Sequence, residues 1–166
     1  MKIAITGPEC AGKTTLAKLL GRKLNAYVVE EYARAYLGNL NRPYQSHDVE
    51  IIAENQFIHN NKSTPKTLIA DTEMLVCKVW YEEKFNLASN RINQLFSKQE
   101  FDLYLLCKPD LPWEHDKLRE NPTDRDRIFI IYKKLLEKHH PKNYKIMEGS
   151  INEREKKATE IISHFM

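Results

Sequence analysis

The sequence predicts an α/β protein: a three-layer α/β/α sandwich around a five-stranded parallel sheet. Three observations predict it. Five short apolar segments alternate along the chain with stretches whose apolar residues recur at helical spacing. The first apolar segment reads as a strand buried on both faces, as strands of a helix-covered parallel sheet are. Four polar segments follow successive apolar runs, so right-handed crossovers carry them to one edge of the sheet.

Residues 2–6 are the first strand, and Leu16, Leu19, Leu20 and Leu24 place a helix over residues 13–24. Residues 27–29 form a short second strand. A helix over 46–61 follows, with Ser46 as its expected N-cap. The third strand, 67–70, ends at Asp71, and helices are expected over 72–85 and 88–99. Residues 103–107 are the fourth strand. A charged stretch punctuated by proline then runs from Lys108 to Pro122. Thr123 is the expected cap of the next helix, whose Ile128, Ile131, Tyr132, Leu135 and Leu136 share one face. Residues 144–148 make the last strand. Ser150-Ile151-Asn152-Glu153 is a capping box that opens the closing helix.

At 166 residues and 19.6 kDa, the chain suits a single domain over residues 1–166 with one sizeable core. With 42% hydrophobic and 30% charged residues, collagen-like and disordered classes are excluded. No apolar run approaches the roughly 18 residues of a membrane span, and only four residues separate Met1-Lys2 from Gly7-Pro8, too few for a signal-peptide core. A cytoplasmic protein without a membrane partner is expected. A net charge of +3 is too weak to argue for nucleic acid. Cys10, Cys77 and Cys107 lie far apart with no C-x-x-C, so neither a disulfide framework nor a zinc knuckle is supported. His139-His140, before Pro141, read as a helix end rather than metal ligands.

Gly7-Pro8-Glu9-Cys10-Ala11-Gly12-Lys13-Thr14 matches G-x-x-x-x-G-K-[ST], with a strand before it and an amphipathic helix after it. Such a loop turns successive backbone N–H groups inward, and the helix N-terminus adds positive potential, so it binds a polyphosphate. The binding set is Gly7, Glu9, Cys10, Ala11, Gly12, Lys13, Thr14 and Thr15. Lys13 is placed to neutralise terminal phosphate oxygens and the Thr14 hydroxyl to ligate Mg²⁺. Asp71, at the end of an apolar strand, is the acidic partner. It suits Mg²⁺ or an acceptor hydroxyl, and capping of the following helix is compatible with both.

No N-K-x-D guanine motif follows a later strand: Asn61-Lys62-Ser63-Thr64 lacks the Asp and precedes the third. The chain is small for a motor ATPase and shows no arginine-finger arrangement for a ring. A small-molecule kinase fits better, and it needs an acceptor pocket and a cationic lid that excludes water. The lid is expected at residues 110–127, where Arg119 and Arg125 can meet charge on the transferring group, while Arg127 reads as paired with its neighbouring Asp residues. Trp113 suits either a core plug or a stacking platform. After the second strand, Glu30-Glu31-Tyr32-Ala33-Arg34 offers Glu31 as a hydroxyl ligand or base and Arg34 to orient it. The same segment also reads as the charged first turn of a helix.

These residues together resemble a known family. Gly7-Pro8-Glu9…Gly12-Lys13-Thr14-Thr15, Glu31-Tyr32-Ala33-Arg34, Gln56, Asp71-Thr72-Glu73, Asp102 to Leu106, Asp110-Leu111-Pro112-Trp113…Asp116…Arg119 and Arg154 are similar to the ribosylnicotinamide kinase domain of NadR-type proteins, over almost the whole chain. The phosphate loop is common to many families; the Glu-Tyr-Ala-Arg and Leu-Pro-Trp-x-x-Asp-x-x-Arg segments are far more particular. The resemblance implies a P-loop kinase fold and transfer of phosphate from ATP, with Mg²⁺, to nicotinamide riboside. It implies a riboside pocket at Glu31, Tyr32, Asp71, Trp113 and Asp116, and Arg154 near adenine. It also implies the kinase portion of a longer architecture, without the adenylyltransferase part. The chain departs from the family at Cys10-Ala11, at Glu73 in place of Asp, and at Glu30, where some members carry an aromatic residue. A kinase for another nucleoside or small alcohol, and a nucleotide-sensing module with little turnover, stay open.

Overall fold

In the computed structural model, which describes every residue except 65, 141 and 166, strands and helices alternate. They are β1 (Lys2–Thr6), α1 (Lys13–Lys23), β2 (Tyr27–Val29), α2 (Tyr32–Gly38), α3 (Ser46–Asn60), β3 (Leu68–Asp71), α4 (Met74–Phe85), α5 (Asn90–Lys98), β4 (Leu103–Cys107), α6 (Arg125–His139), β5 (Tyr144–Met147) and α7 (Ile151–Ser163). All pairings are parallel, in the order β2-β3-β1-β4-β5.

The period of two along each strand divides the core. Ile3, Ile5, Ile69, Leu103, Leu105 and Cys107 pack with Leu16 and Leu20 of α1 and Ala158 and Ile162 of α7. Ala4, Leu68, Ala70, Tyr104 and Leu106 face the other way, against Val49, Met74, Leu75, Ile92, Tyr132 and Leu136 from α3 to α6. Helices on both faces make the three layers.

Register then positions the chemistry. Ile5 of β1 pairs with Asp71 of β3, and Thr6 pairs with Leu106 of β4. The loop after β1 therefore leaves the sheet between Asp71 and Cys107, at the point where the chain's crossovers diverge to opposite sides. Gly7 (φ 131°) passes so close to β4 that a Cβ would lie 2.6 Å from the Cys107 carbonyl oxygen.

Several helix starts differ from the sequence reading. Gln45, not Ser46, caps α3, and Asp48 completes a capping box with it. Glu73 caps α4 by accepting from Leu75 N, so that helix begins at Met74 rather than 72. Ser89 caps α5, and Asp124 rather than Thr123 precedes α6. The Ser150–Glu153 capping box is present. His139 ends α6 and packs edge-on to Phe96, while His140 stacks on Tyr104 at 4.5 Å. Pro141 lies outside the described residues. Among the described residues, no helix is long and apolar enough to cross a membrane.

Candidate active site

A cleft of about 650 Å³ opens at the C-terminal edge of the sheet, floored by residues 7–15 and walled by α2, α4, α6 and the segment after β4. Its floor is the phosphate loop. Cys10 (φ 54°) and Gly12 (φ 78°) both take the left-handed conformation, which turns the chain back onto the N-terminus of α1. For Cys10 that costs on the order of 1–3 kcal/mol, so its surroundings must hold it. They do: the Cys10 carbonyl accepts from Arg125 Nη1 at 3.1 Å and the Ala11 carbonyl from Arg154 Nη1 at 2.7 Å. Lys13 Nζ donates to the carbonyls of Gly7 (3.0 Å) and Pro8 (2.7 Å), so its ammonium arches over the loop. The Thr14 and Thr15 side chains are exposed on the cleft.

Two carboxylates lie by this floor, Glu31 on the cleft lining and Asp71 buried beside Thr14. Asp71 is 2% exposed and its Oδ1 has no hydrogen-bond partner. Burial pushes its pKa up, opposed by the Thr14 hydroxyl and by the charges of Lys13, Lys18 and Arg34. Glu31 lines the cleft, and its pKa too is raised, first by burial and then by Asp71 and Asp116, against the pull of Lys13 and Arg34. These mutual influences place Lys13, Thr14, Glu31 and Asp71 within one electrostatic neighbourhood. An orphaned, buried carboxylate oxygen beside a threonine hydroxyl fits a hard cation that takes its remaining ligands from water and phosphate, as Mg²⁺ does.

A buried polar chain joins the loops that carry these carboxylates. Gln56 Oε1 accepts from Tyr32 N at 2.7 Å, and Gln56 Nε2 donates to Glu30 O at 3.3 Å and to Asn60 Oδ1 at 3.0 Å. Asn60 Nδ2 then donates to Thr72 O at 3.1 Å, next to Asp71. Thr72 has φ 94°, a conformation a β-branched residue adopts only when held, and Asn60 holds it. Behind them, the fully buried Glu73 accepts from Thr6 Oγ1 (2.7 Å), Leu75 N (2.6 Å) and Gln99 Nε2 (2.8 Å), which locks β1 to the start of α4.

Residues 111–124 carry no helix or strand and fold over the cleft mouth; residues 125–127 of the expected lid are the first turn of α6. Glu9 fastens this segment, since its carboxylate accepts from the backbone N–H groups of Glu120 (2.9 Å) and Asn121. Cys10 Sγ accepts from Glu114 N at 3.2 Å. Arg119 lines the cleft.

The structure places several of the expected site residues in contacts with other protein groups. Arg125 does not line the cleft; it bridges the Cys10 and Leu111 carbonyls at 3.1 Å each, so it ties loop to lid. Trp113 is occupied by two guanidinium groups, Arg119 at 6.0 Å and Arg125 at 5.5 Å from its ring centre, so it serves as a cation–π anchor of the lid rather than a cleft wall. Asp116 is paired with Arg34 at 2.8 Å and caps Leu118 N, away from the cleft lining. The Tyr32 ring packs on His59 (5.4 Å) and Tyr36 (6.2 Å), on the far side of α2. Arg154 has no exposed surface on which a ring could stack. It donates to Gly149 O, Ala11 O and Lys108 O and pairs with Asp110. Arg127 pairs with Asp124, as expected, and also with Glu83.

Three comparisons bear on this geometry. A family model described as AAA domain matches residues 2–154. The chain belongs to that family. Among curated proteins, it is 25% identical over 173 residues to the trifunctional NAD biosynthesis/regulator protein NadR of Escherichia coli (strain K12), an alignment covering 99% of this chain and 42% of that protein. The chain thus spans under half the length of this relative. Among solved structures, a NadR protein in complex with NR superposes with a TM-score of 0.73 at 22% identity, covering 98% of this chain and 50% of that one. Deoxyadenosine kinase from M. mycoides, with dCMP and dCDP bound, gives 0.71 at 13% identity over the whole of both chains. The family and these likenesses establish a P-loop domain with the fold of P-loop kinases.

Proposed function

We propose that the protein is an ATP-dependent kinase that phosphorylates the 5′-hydroxyl of a riboside, nicotinamide riboside foremost, giving the mononucleotide and ADP. One observation carries the reading: the phosphate loop and the half-buried Glu31 line one cleft deep enough for a second small molecule, with the buried Asp71 beside the loop's Thr14, and both carboxylates have raised pKa values. A loop that only held a nucleotide would need one such carboxylate at most. The likeness to NadR, including a NadR complex with NR, supports the choice of riboside.

The loop amides and the N-terminus of α1 receive the phosphates, and Lys13 exchanges the Gly7 and Pro8 carbonyls for phosphate oxygens. Thr14 and Asp71 would hold Mg²⁺, which when bound neutralises charge on the β- and γ-phosphates. That leaves Glu31 for the acceptor. Its carboxylate, 4.0 Å from Arg34 Nε, orients the riboside hydroxyl and takes up its proton as the oxygen attacks the γ-phosphorus and the bond to the β-bridging oxygen breaks. Arg119 adds positive charge at the mouth, and the lid keeps water from competing with the hydroxyl. Incubation of the protein with γ-labelled ATP, Mg²⁺ and a panel of ribosides tests this: label should move to nicotinamide riboside in preference to other acceptors. Tight ATP binding with no ADP formed for any acceptor would instead favour a sensing module.

A further inference from the structure

We infer that Asn60 and Gln56 are positioning residues: one buried amide pair on α3 fixes the backbone beside Asp71 and the backbone on both sides of Glu31. The inference deepens the kinase reading and rests on it. α3 turns Val49, Ile52, Ala53, Gln56 and Asn60 into the protein, and none of its described residues lines the cleft. Gln56 is 0% and Asn60 2% exposed. Amides buried among apolar side chains destabilise a fold unless their polar atoms find partners. Spaced i, i+4, these two share a face and bond each other at 3.0 Å.

Backbone groups at the two ends dictate which way the amides point. Tyr32 N can only donate, so Gln56 turns Oε1 to it and Nε2 to Glu30 O and Asn60. Asn60 then accepts through Oδ1, which leaves Nδ2 for Thr72 O. Both side chains are spent on protein groups, so they act on the site through the backbone. At one end, the Tyr32 N–H is the first of α2 and has no partner inside that helix. Gln56 therefore sets where α2 starts and where its N-cap, Glu31, stands. At the other end, Thr72 is held at φ 94° by Ile5 O on its N–H and by Asn60 on its carbonyl, while its hydroxyl has no partner. Without Asn60 the strained turn relaxes, and Asp71 moves with it. One relay thus holds both carboxylates in a common frame.

Calorimetric titration of Mg²⁺ into the protein–ADP complex reads the Asp71 end without turnover. Asn60→Ala should weaken Mg²⁺ binding roughly 10–100-fold, as loss of support behind a metal ligand does, with ADP affinity in chelator close to wild type. Gln56→Ala takes the donor from Asn60 Oδ1 and should weaken Mg²⁺ binding roughly 2–10-fold. With nicotinamide riboside as acceptor, both should lower kcat about tenfold or more at an unchanged KM for ATP, as remote misplacement of a reacting group does. Ile52→Val, a core change on the same face of α3, should alter none of these constants. If Asn60→Ala does not fold, Asn60→Ser, which keeps a polar group there, replaces it. Folded Asn60 variants with Mg²⁺ affinity and kcat close to wild type would overturn the inference. So would an equal loss in Ile52→Val, or a loss of ADP affinity in chelator as large as that of Mg²⁺ affinity, since either marks a merely structural role. Weakened Mg²⁺ binding in the Asn60 and Gln56 variants, with no phosphoryl transfer by the wild type, would uphold the positioning of Asp71 and refute the kinase reading.

Discussion

Arg154 Nη1 lies 2.7 Å from the Ala11 carbonyl oxygen, so a guanidinium with no exposed surface on the last helix supports the phosphate loop from beneath. The same side chain reaches Lys108 O after β4 and Gly149 O after β5, and pairs with Asp110. One residue thereby joins the ends of two strands, β4 and β5, to the loop that follows β1. Only arginine's fork can serve these acceptors together.

Arg154→Ala should therefore destabilise the protein by roughly 1–3 kcal/mol, the cost of leaving the Ala11, Lys108 and Gly149 carbonyls without their donor. Arg154→Lys keeps the charge but not the fork and should fall between. Urea unfolding of the three proteins measures this, and wild-type stability in the alanine variant would show that the clamp carries no load.

Lys13→Ala removes a half-buried ammonium whose present partners, the Gly7 and Pro8 carbonyls, are loop groups that solvent can also reach. Turnover should fall by about 10²-fold or more, as when one preorganised charge donor is lost. The circular dichroism spectrum and melting temperature should stay close to wild type. Unchanged turnover would remove the loop from the chemistry.

Glu31 makes a prediction about pH. Its folded-state pKa is raised from 4.5 by burial, so the folded protein holds this proton more tightly than the unfolded chain does. Its contribution to stability therefore falls as pH rises from about the unfolded value through the folded one, and stays low above that. Glu31→Gln, measured with chelator present, should be more stable than wild type at neutral pH. The gain should vanish in acid, below the ordinary value of 4.5. Melting curves across the range check it; a variant less stable than wild type at neutral pH contradicts it. Activity should be lost while stability is gained, as expected of a strained site.

Much of this arrangement was legible before the structure. β1, β2 and β4 have strong apolar runs bounded by turn residues, and their limits coincide with the sequence reading. The phosphate loop and Asp71 are local signals, because a strand end and a helix start bracket each. Helix starts were less legible: Ser46 has the right side chain for a cap, but Gln45 and Asp48 form the reciprocal pair, which depends on Arg42 and Tyr36 holding Asp48. Side-chain direction was least legible. Arg154 in a charged helix looks solvated, and only the fold brings the Ala11 carbonyl to it across 143 positions. Tyr132 shares the apolar face of α6, and periodicity cannot tell a core tyrosine from one that opens on a cleft. Gln56 was visible as part of a resemblance, but its bonds to Tyr32 and Glu30 cross 24 and 26 positions to another element.

Glu9 links the loop to its cover. Glu9→Ala frees the N–H groups of Glu120 and Asn121, which are partly exposed, so the loss should be about 1 kcal/mol. Cleavage within residues 111–124 by a low concentration of protease should quicken about fivefold, as that energy implies. Acceptor-free ATP hydrolysis should rise alongside it. An unchanged cleavage rate would mean the lid is held by other contacts, Arg125 first among them.

The most direct measurement is a crystal structure of the protein with a non-hydrolysable ATP analogue, Mg²⁺ and nicotinamide riboside. A γ-phosphorus is expected between Lys13 and the riboside 5′-oxygen, with Lys13 released from Gly7 and Pro8 and the hydroxyl within hydrogen-bond reach of Glu31. A terminal phosphate bound outside residues 7–15, or a riboside whose hydroxyl points away from it, would contradict the account.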